Sequence, residues 1–309
     1  MATTREIKNR IKSVKDTQKI TNAMYLISST KMRKARREAE ASKPYFDLLR
    51  REIRRMFAAG GKIHSVFLNS AVDDSVRGGR YGVLVITADK GLAGAYNQNV
   101  IKETQALISM SDEYVLYVIG EVGQRFFRTH GYNTSASFGV PMPEPSLGIA
   151  RTMATVLLDE YDKKAFDRLY VVYTDFTSGM SSGVATHDRL LPFDKDDFTT
   201  EGDEIASSAE VVFEYDPGIE KVLDSVLPSY MMGYIYSALV NSYSSEQTAR
   251  MMAMDAANDN ANELMGHLSL EYNHLRQNAI TQEITEISSG ARGLKRNELK
   301  RKKRKEEQI

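Results

Sequence analysis

MATTREIKNRIKSVKDTQKITNAMYLISSTKMRKARREAEASKPYFDLLRREIRRMFAA, residues 1–59, contains no glycine and a single proline, Pro44. Strong helix formers fill it, and Thr3 or Thr4 offers a hydroxyl to cap its start. At ~1.5 Å per residue such a helix reaches on the order of 80 Å, far more than the width of a small domain. Pro44 lacks an N–H and crowds the preceding turn, at a cost of about 3 kcal/mol in a helix interior, so a kink or break is expected there. The other end of the chain behaves alike. From Ile219 to Leu294 only Pro228, Gly233, Gly266, Gly290 and Gly293 interrupt a helical composition. Periodic segments of this length signal a coiled coil rather than ordinary globular helices.

Heptad spacing gives each segment a candidate seam. In the first, Ile7, Ile11, Val14, Gln18, Thr21, Tyr25, Ser28, Met32, Ala35 and Ala39 fall on alternating steps of four and three. In the last, Ala249, Met252, Ala256, Asp259, Glu263, Gly266, Leu270, Asn273, Gln277, Ile280, Ile284 and Ile287 do the same. Both seams are small and half polar where a two-stranded zipper favours Leu and Ile. Small residues let two helices approach closely but bury little area, so the pair calls for another surface around it.

The middle has a different texture. Tyr81–Thr87 (YGVLVIT), Tyr114–Ile119 (YVLYVI) and Leu169–Thr174 (LYVVYT) are short apolar runs of the buried-strand kind. Helical stretches at Asn97–Ser109, Glu121–His130 and Leu147–Lys164 alternate with them. That order predicts an α/β domain with a mainly parallel sheet. Asp188–Phe193 adds a strand after a turn at Thr177–Gly183, and the acidic segment 194–209 reads as a surface loop. The divisions are a first helix over 1–62, an α/β domain over 63–210, a last helix over 211–294 and a basic extension over 295–309.

The net charge of zero conceals an uneven distribution. Residues 1–62 hold 17 Lys/Arg against 6 Asp/Glu, residues 63–290 hold 15 against 32, and residues 291–309 hold 9 against 3. Basic ends around an acidic body predict partners that are acidic where the ends meet them. No run approaches the ~20 apolar residues of a membrane span, so any membrane association is peripheral. The absence of cysteine excludes disulfides and thiolate chemistry.

Motifs with chemical potential are weak. Asp89-Lys-Gly-Leu-Ala-Gly94 sits between a strand and a helix, where a phosphate loop would, but matches neither glycine fingerprint. A tight turn using Gly91 and Gly94 is the better reading. Gly179-Met-Ser-Ser-Gly183 matches GxSxG, yet a nucleophile elbow needs a helix after the serine, and here a strand follows. His64, His130, His187, His267 and His274 form no metal-binding pattern. No catalytic, cofactor-binding or metal-binding residue is assigned. Lys31–Arg37 and Lys300–Lys305 are basic runs suited to acidic partners, or simply to solvent.

Ile7–Met24 (IKNRIKSVKDTQKITNAM), continuing to Lys31–Ala35, closely resembles the first helix of the gamma subunits of F-type ATP synthases. Ser245–Met254 (SEQTARMMAM), with Asp259-Asn260, resembles the start of that family's C-terminal shaft, and Tyr272–Ile287 (YNHLRQNAITQEITEI) its tip. Asp89–Gly94 and Leu190–Pro192 fit its central domain more loosely. The resemblance implies a long antiparallel coiled coil of terminal helices with an inserted Rossmann-like α/β domain. It implies a non-catalytic rotor that couples ion flow to ATP synthesis or hydrolysis. The partners would be the alpha and beta subunits, the epsilon subunit and the membrane c-ring, at the cytoplasmic face of a bacterial inner membrane. By the same match, Met24, Lys31, Arg33 and Lys34 would pass the beta loops. Arg250, Arg276, Gln277 and Thr281 would meet beta catch loops, and Ile280, Ile284 and Ile287 would turn in the apolar bearing. Tyr25–Thr30 is bulkier than the family's usual alanine-rich run, and Asp255 stands where lysine is common. The alternative is a basic coiled-coil nucleic-acid or scaffold protein, whose phosphate contacts would weaken steeply with salt.

Overall fold

The computed structural model describes residues 4–59, 63, 65–68, 79–135, 141–142, 144–175, 183–194, 198 and 214–306, with the backbone alone for 298–306. The elements run α1 (Thr4–Ala59), β1 (Tyr81–Ile86), α2 (Tyr96–Ile108), β2 (Tyr114–Ile119), α3 (Glu121–Thr129), α4 (Leu147–Asp162), β3 (Arg168–Asp175), β4 (Val184–Leu191) and α5 (Ile219–Glu306). Two compact units result, residues 1–24 with 254–309, and residues 25–253.

Pro44 does not break α1, which is helical throughout. The proline and Glu40, whose carbonyl loses its donor, are both exposed, so water can satisfy the freed oxygen. Nor does α5 stop near Leu294: it passes Gly290 and Gly293 and remains helical to Glu306.

In the first unit the two helices run antiparallel. Gln18 Nε2 donates to Asn262 Oδ1 at 2.7 Å, and one turn along α1 the Thr21 hydroxyl donates to Asn258, one turn back along α5. The α1 seam is as the spacing predicts, with Ile7 buried and Ile11, Val14, Gln18 and Thr21 half-buried. The α5 seam is not. Its covered positions are Met254, Ala257, Asn258, Ala261, Met265, Leu268, Tyr272 and Leu275, whereas Ala256, Asp259, Glu263, Gly266, Leu270 and Asn273 are exposed. The predicted frame is displaced by two residues, about 200° around a helix, and so describes the opposite face.

In the second unit the four strands lie in the order β2-β1-β3-β4, the first three parallel and β4 antiparallel to β3. The parallel strands are continuous apolar runs because both faces are covered. Val83, Val85, Leu116, Val118 and Val172 pack with Val100, Ile101 and Leu107 of α2 and Phe127 of α3. Leu84, Ile86, Tyr117, Ile119 and Val171 pack with Ala150, Met153 and Leu157 of α4, and the same cluster takes in Ile53 and Met56 of α1 and Leu223, Leu227, Met231 and Ile235 of α5. A Cβ on Gly233 of α5 would overlap the ring of Phe46 on α1, so a glycine there permits the close approach of the two helices.

The last strand begins earlier than the sequence suggested, at Val184 rather than Asp188, directly after Gly183 in the left-handed region at φ 73°. It ends at Leu191 because Pro192 has no N–H for the ladder. Phe193 pairs elsewhere, its N–H donating to Phe67 O at 2.8 Å. Most of the acidic segment 194–209 lies outside the described residues. Phe198, within it, is buried against Phe57, Phe193 and Tyr230, an anchor that the charge of the segment concealed.

Candidate functional site

The expected tip residues lie on helix that no other described residues cover. Arg276, Gln277, Ile280, Thr281, Ile284 and Ile287 are all exposed, and from Arg276 to Arg296 only Ser288 is even half-buried. Ile280, Ile284 and Ile287 are 44%, 62% and 73% exposed and form an apolar stripe on this part of the helix. Helices without tertiary packing are marginal in water, so a covering surface would stabilise this segment. Near it, hydroxyls fold back onto the backbone: Thr281 Oγ1 donates to Gln277 O at 2.9 Å and Thr285 Oγ1 to Thr281 O at 2.7 Å.

The basic run on α1 is divided in use. Lys31 and Arg33 are exposed, and Met24 is half-buried. Lys34 Nζ sits 2.8 Å from Glu144 Oε1 on the segment before α4. The pair raises the Lys34 ammonium pKa and lowers that of the Glu144 carboxyl, each stabilised by the other's charge and hydrogen bond.

Arg250 is placed differently from the other residues expected to meet beta. Its side chain is 11% exposed, and its guanidinium pairs with the Glu246 carboxylate one turn earlier, itself 6% exposed. Nη2 donates to Lys90 O at 3.2 Å and to Gly91 O at 3.1 Å, on the loop between β1 and α2. Burial pushes the Glu246 carboxyl above its ordinary range, while Arg250 and the Gln247 amide pull it back.

That loop is not a phosphate cradle. Two of its carbonyls, rather than its amides, face the Arg250 cation. Asp89 Oδ1 accepts from the N–H of Met142 at 2.6 Å and of Glu121 at 3.2 Å, capping the start of α3. The turn draws on Gly94 at φ 55°, and its other left-handed residue is Leu92 at φ 65°, not Gly91. The GxSxG serine, Ser181, lies outside the described residues. Its flanks are Asp175 and Val184, paired partners in an antiparallel ladder, so a hairpin stands where an elbow needs a helix. The histidines are scattered: His130 contacts Phe126 O, His187 pairs with Glu103 at 2.7 Å and His267 lies 3.9 Å from Glu263. His64 is outside the described residues. Among the described residues no group of three or more His, Asp or Glu side chains is placed to hold a metal.

A family model described as ATP synthase matches residues 3–294. The ATP synthase gamma chain of Acetivibrio thermocellus is 38% identical over 298 residues, covering 96% of this chain and all of the relative. This chain belongs to the ATP synthase gamma family. The gamma chain of Caldanaerobacter subterraneus subsp. tengcongensis is 40% identical over 293 residues, covering 93% of this chain and 98% of that one. Among solved structures, a chain of the Euglena gracilis mitochondrial ATP synthase (OSCP/F1/c-ring, rotational state 3) matches with a TM-score of 0.64 at 16% identity over 94% of both chains. The terminal motifs were sufficient to place the chain in this family. They did not indicate that the Arg250 side chain turns inward, for which Glu246 one turn earlier was the available signal.

Proposed function

We propose that this gamma chain is the central rotor of its ATP synthase, coupling ion flow through the membrane sector to ATP synthesis or hydrolysis on the beta subunits. The observation that carries this reading, beyond family membership, is the uncovered helix from Arg276 onward with its isoleucine stripe. A rotor tip needs an apolar, weakly directional surface that can slide within a ring of partners, and a helix left exposed among the described residues offers one. The ring is that of the alpha and beta subunits, with the epsilon subunit and the c-ring at the α/β domain. Arg276, Gln277 and Thr281 contact beta loops, Ile280, Ile284 and Ile287 form the bearing, and Met24, Lys31 and Arg33 pass the beta loops lower on the shaft. Lys34 does so only by exchanging Glu144 for a beta carboxylate. The functional divisions are shaft helices over 1–62 and 211–294, a foot over 63–210 and a basic extension over 295–309.

The chain is part of a membrane-associated complex, peripheral at the cytoplasmic face of the bacterial inner membrane. No described helix is long and apolar enough to cross a membrane. The nucleic-acid alternative finds no support in these relatives. The deciding experiment mixes this chain with alpha and beta subunits, with a bead fixed to the α/β domain. ATP-driven rotation of the bead is the expected result; hydrolysis without rotation would overturn the proposal.

A further inference from the structure

We infer that Arg250 and Glu246 form a latch within the subunit that binds the 88–94 loop to α5, so that helix and sheet turn as one body under load. This rests on the rotor reading above, and makes Arg250 a positioning residue rather than a contact to beta.

The loop is held at its ends. Ala88 and Ala93 are buried, and the Ala88 N–H donates to Asn97 Oδ1 at 2.9 Å. Lys90, Gly91 and Leu92 between them are exposed, with Leu92 at 64%. Leu92 also holds a left-handed conformation that L-residues disfavour. Asp89 ties the start of this arch to Met142 and Glu121, and across its exposed crest two hydrogen bonds from one guanidinium hold it to α5. Arg250 can serve because its planar fork reaches the carboxylate through Nη1 while Nη2 serves both carbonyls. Glu246 balances the charge, since a buried guanidinium without a counter-ion would be strongly destabilising.

The location gives the latch its mechanical meaning. The strand order reverses at β1, so the ends of β1 and β3 form the switch point of the sheet. Residues 241–250 of α5 lie across those ends: Ser242 Oγ accepts from the Thr174 N–H at 3.2 Å, and a Cβ on Gly183 would come within 2.8 Å of Ser245 Oγ. Apolar contacts such as that of Ala249 resist separation but are non-directional. Hydrogen bonds with fixed geometry resist sliding and turning, and Arg250 supplies two of them.

The test uses the full chain assembled with its alpha, beta and epsilon subunits and the membrane sector in vesicles, comparing wild type with Arg250→Gln and Arg250→Lys. Two quantities are read: amide hydrogen exchange across residues 88–95, and the ratio of ATP-driven ion pumping to ATP hydrolysis. Arg250→Gln should speed exchange in the loop by about tenfold or more, as loss of charge-assisted hydrogen bonds implies, and lower the pumping ratio. Arg250→Lys, which keeps the charge but not the fork and guards against simple misfolding, should fall between. Unchanged loop exchange overturns the latch, and so does a loosened loop with a wild-type pumping ratio. Loss of hydrolysis in step with pumping, with the loop still protected, would assign Arg250 to a beta contact. Failure of the wild-type chain to assemble would overturn the rotor reading instead, and loop exchange on the full chain alone would still decide the latch.

Discussion

Replacing Ile280, Ile284 and Ile287 together by alanine separates the two roles of the tip, because its effects on the free helix and on assembly have opposite signs. Fully covering an isoleucine contributes about 1.5–3 kcal/mol. Scaled by exposures of 44%, 62% and 73%, the uncovered portions correspond to about 1, 1.5 and 2 kcal/mol, on the order of 4 kcal/mol if a sleeve covers all three. Alanine retains the Cβ, so the expected loss is nearer 3 kcal/mol, or about a hundredfold in the assembly equilibrium. In the free chain the substitution should do the reverse. Alanine is the better helix former by a few tenths of a kcal/mol per site, and little native contact is lost at exposed positions. The assay titrates the chain into alpha and beta subunits and follows ATPase activity and size-exclusion profile, with circular dichroism of the free chain as control. A midpoint shifted to higher concentration with undiminished helix content is the expected result. An unchanged midpoint would show that nothing apolar covers the stripe, and the bearing assignment would fall with it.

Alanine at Arg276 or Gln277 should reduce ATP synthesis and hydrolysis together while nucleotide binding to beta stays near wild type, measured on purified complex. Gly233→Ala should destabilise the 25–253 unit by about 1–2 kcal/mol in urea titration, because displacing the Phe46 ring outweighs the gain in helix propensity. Glu246 has a raised pKa, so its contribution is fully present below the usual 4.5 and is lost as pH rises through the higher folded value. With Arg250, Gln247 and Lys31 all facing it, Glu246→Gln should flatten the stability–pH curve just above pH 4.5, and a slope unchanged from wild type would contradict this. Deleting residues 295–309 should leave assembly and hydrolysis largely intact, with at most a salt-sensitive change in rate.

The sheet was legible because parallel strands buried on both faces read as unbroken apolar runs, and Tyr114–Ile119 was found to the residue. The α1 seam was legible for a similar reason: all ten positions from Ile7 to Ala39 are buried or half-buried. The α5 heptad frame that contains Ile280, Ile284 and Ile287 differs from the covered frame of Met254, Ala257, Ala261, Met265 and Leu268. That stripe is exposed, and nothing requires an exposed stripe to continue the seam between the two helices. Arg250 escaped for a different reason. Sequence gives the i,i+4 pair with Glu246, but the backbone carbonyls it reaches lie some 160 positions earlier and carry no side-chain signature.

The switch point also explains how a fold suited to holding nucleotides serves as a mechanical part. In open α/β sheets the ligand crevice lies beyond the carboxyl ends of the strands, where the chain order reverses, and the first loop presents amide donors to phosphate. Here α5 lies across that crevice, setting Ser242 against the end of β3 and Arg250 against the loop after β1. The loop answers a cation with carbonyls, the inverse of a phosphate site. Its aspartate caps a neighbouring helix and its exposed leucine occupies a conformation that glycine would normally take. Of these departures, the carbonyls turned toward Arg250 are the ones that join the sheet to α5. On the latch proposal, the crevice that would bind a ligand in another protein of this architecture is the joint through which torque passes between helix and sheet.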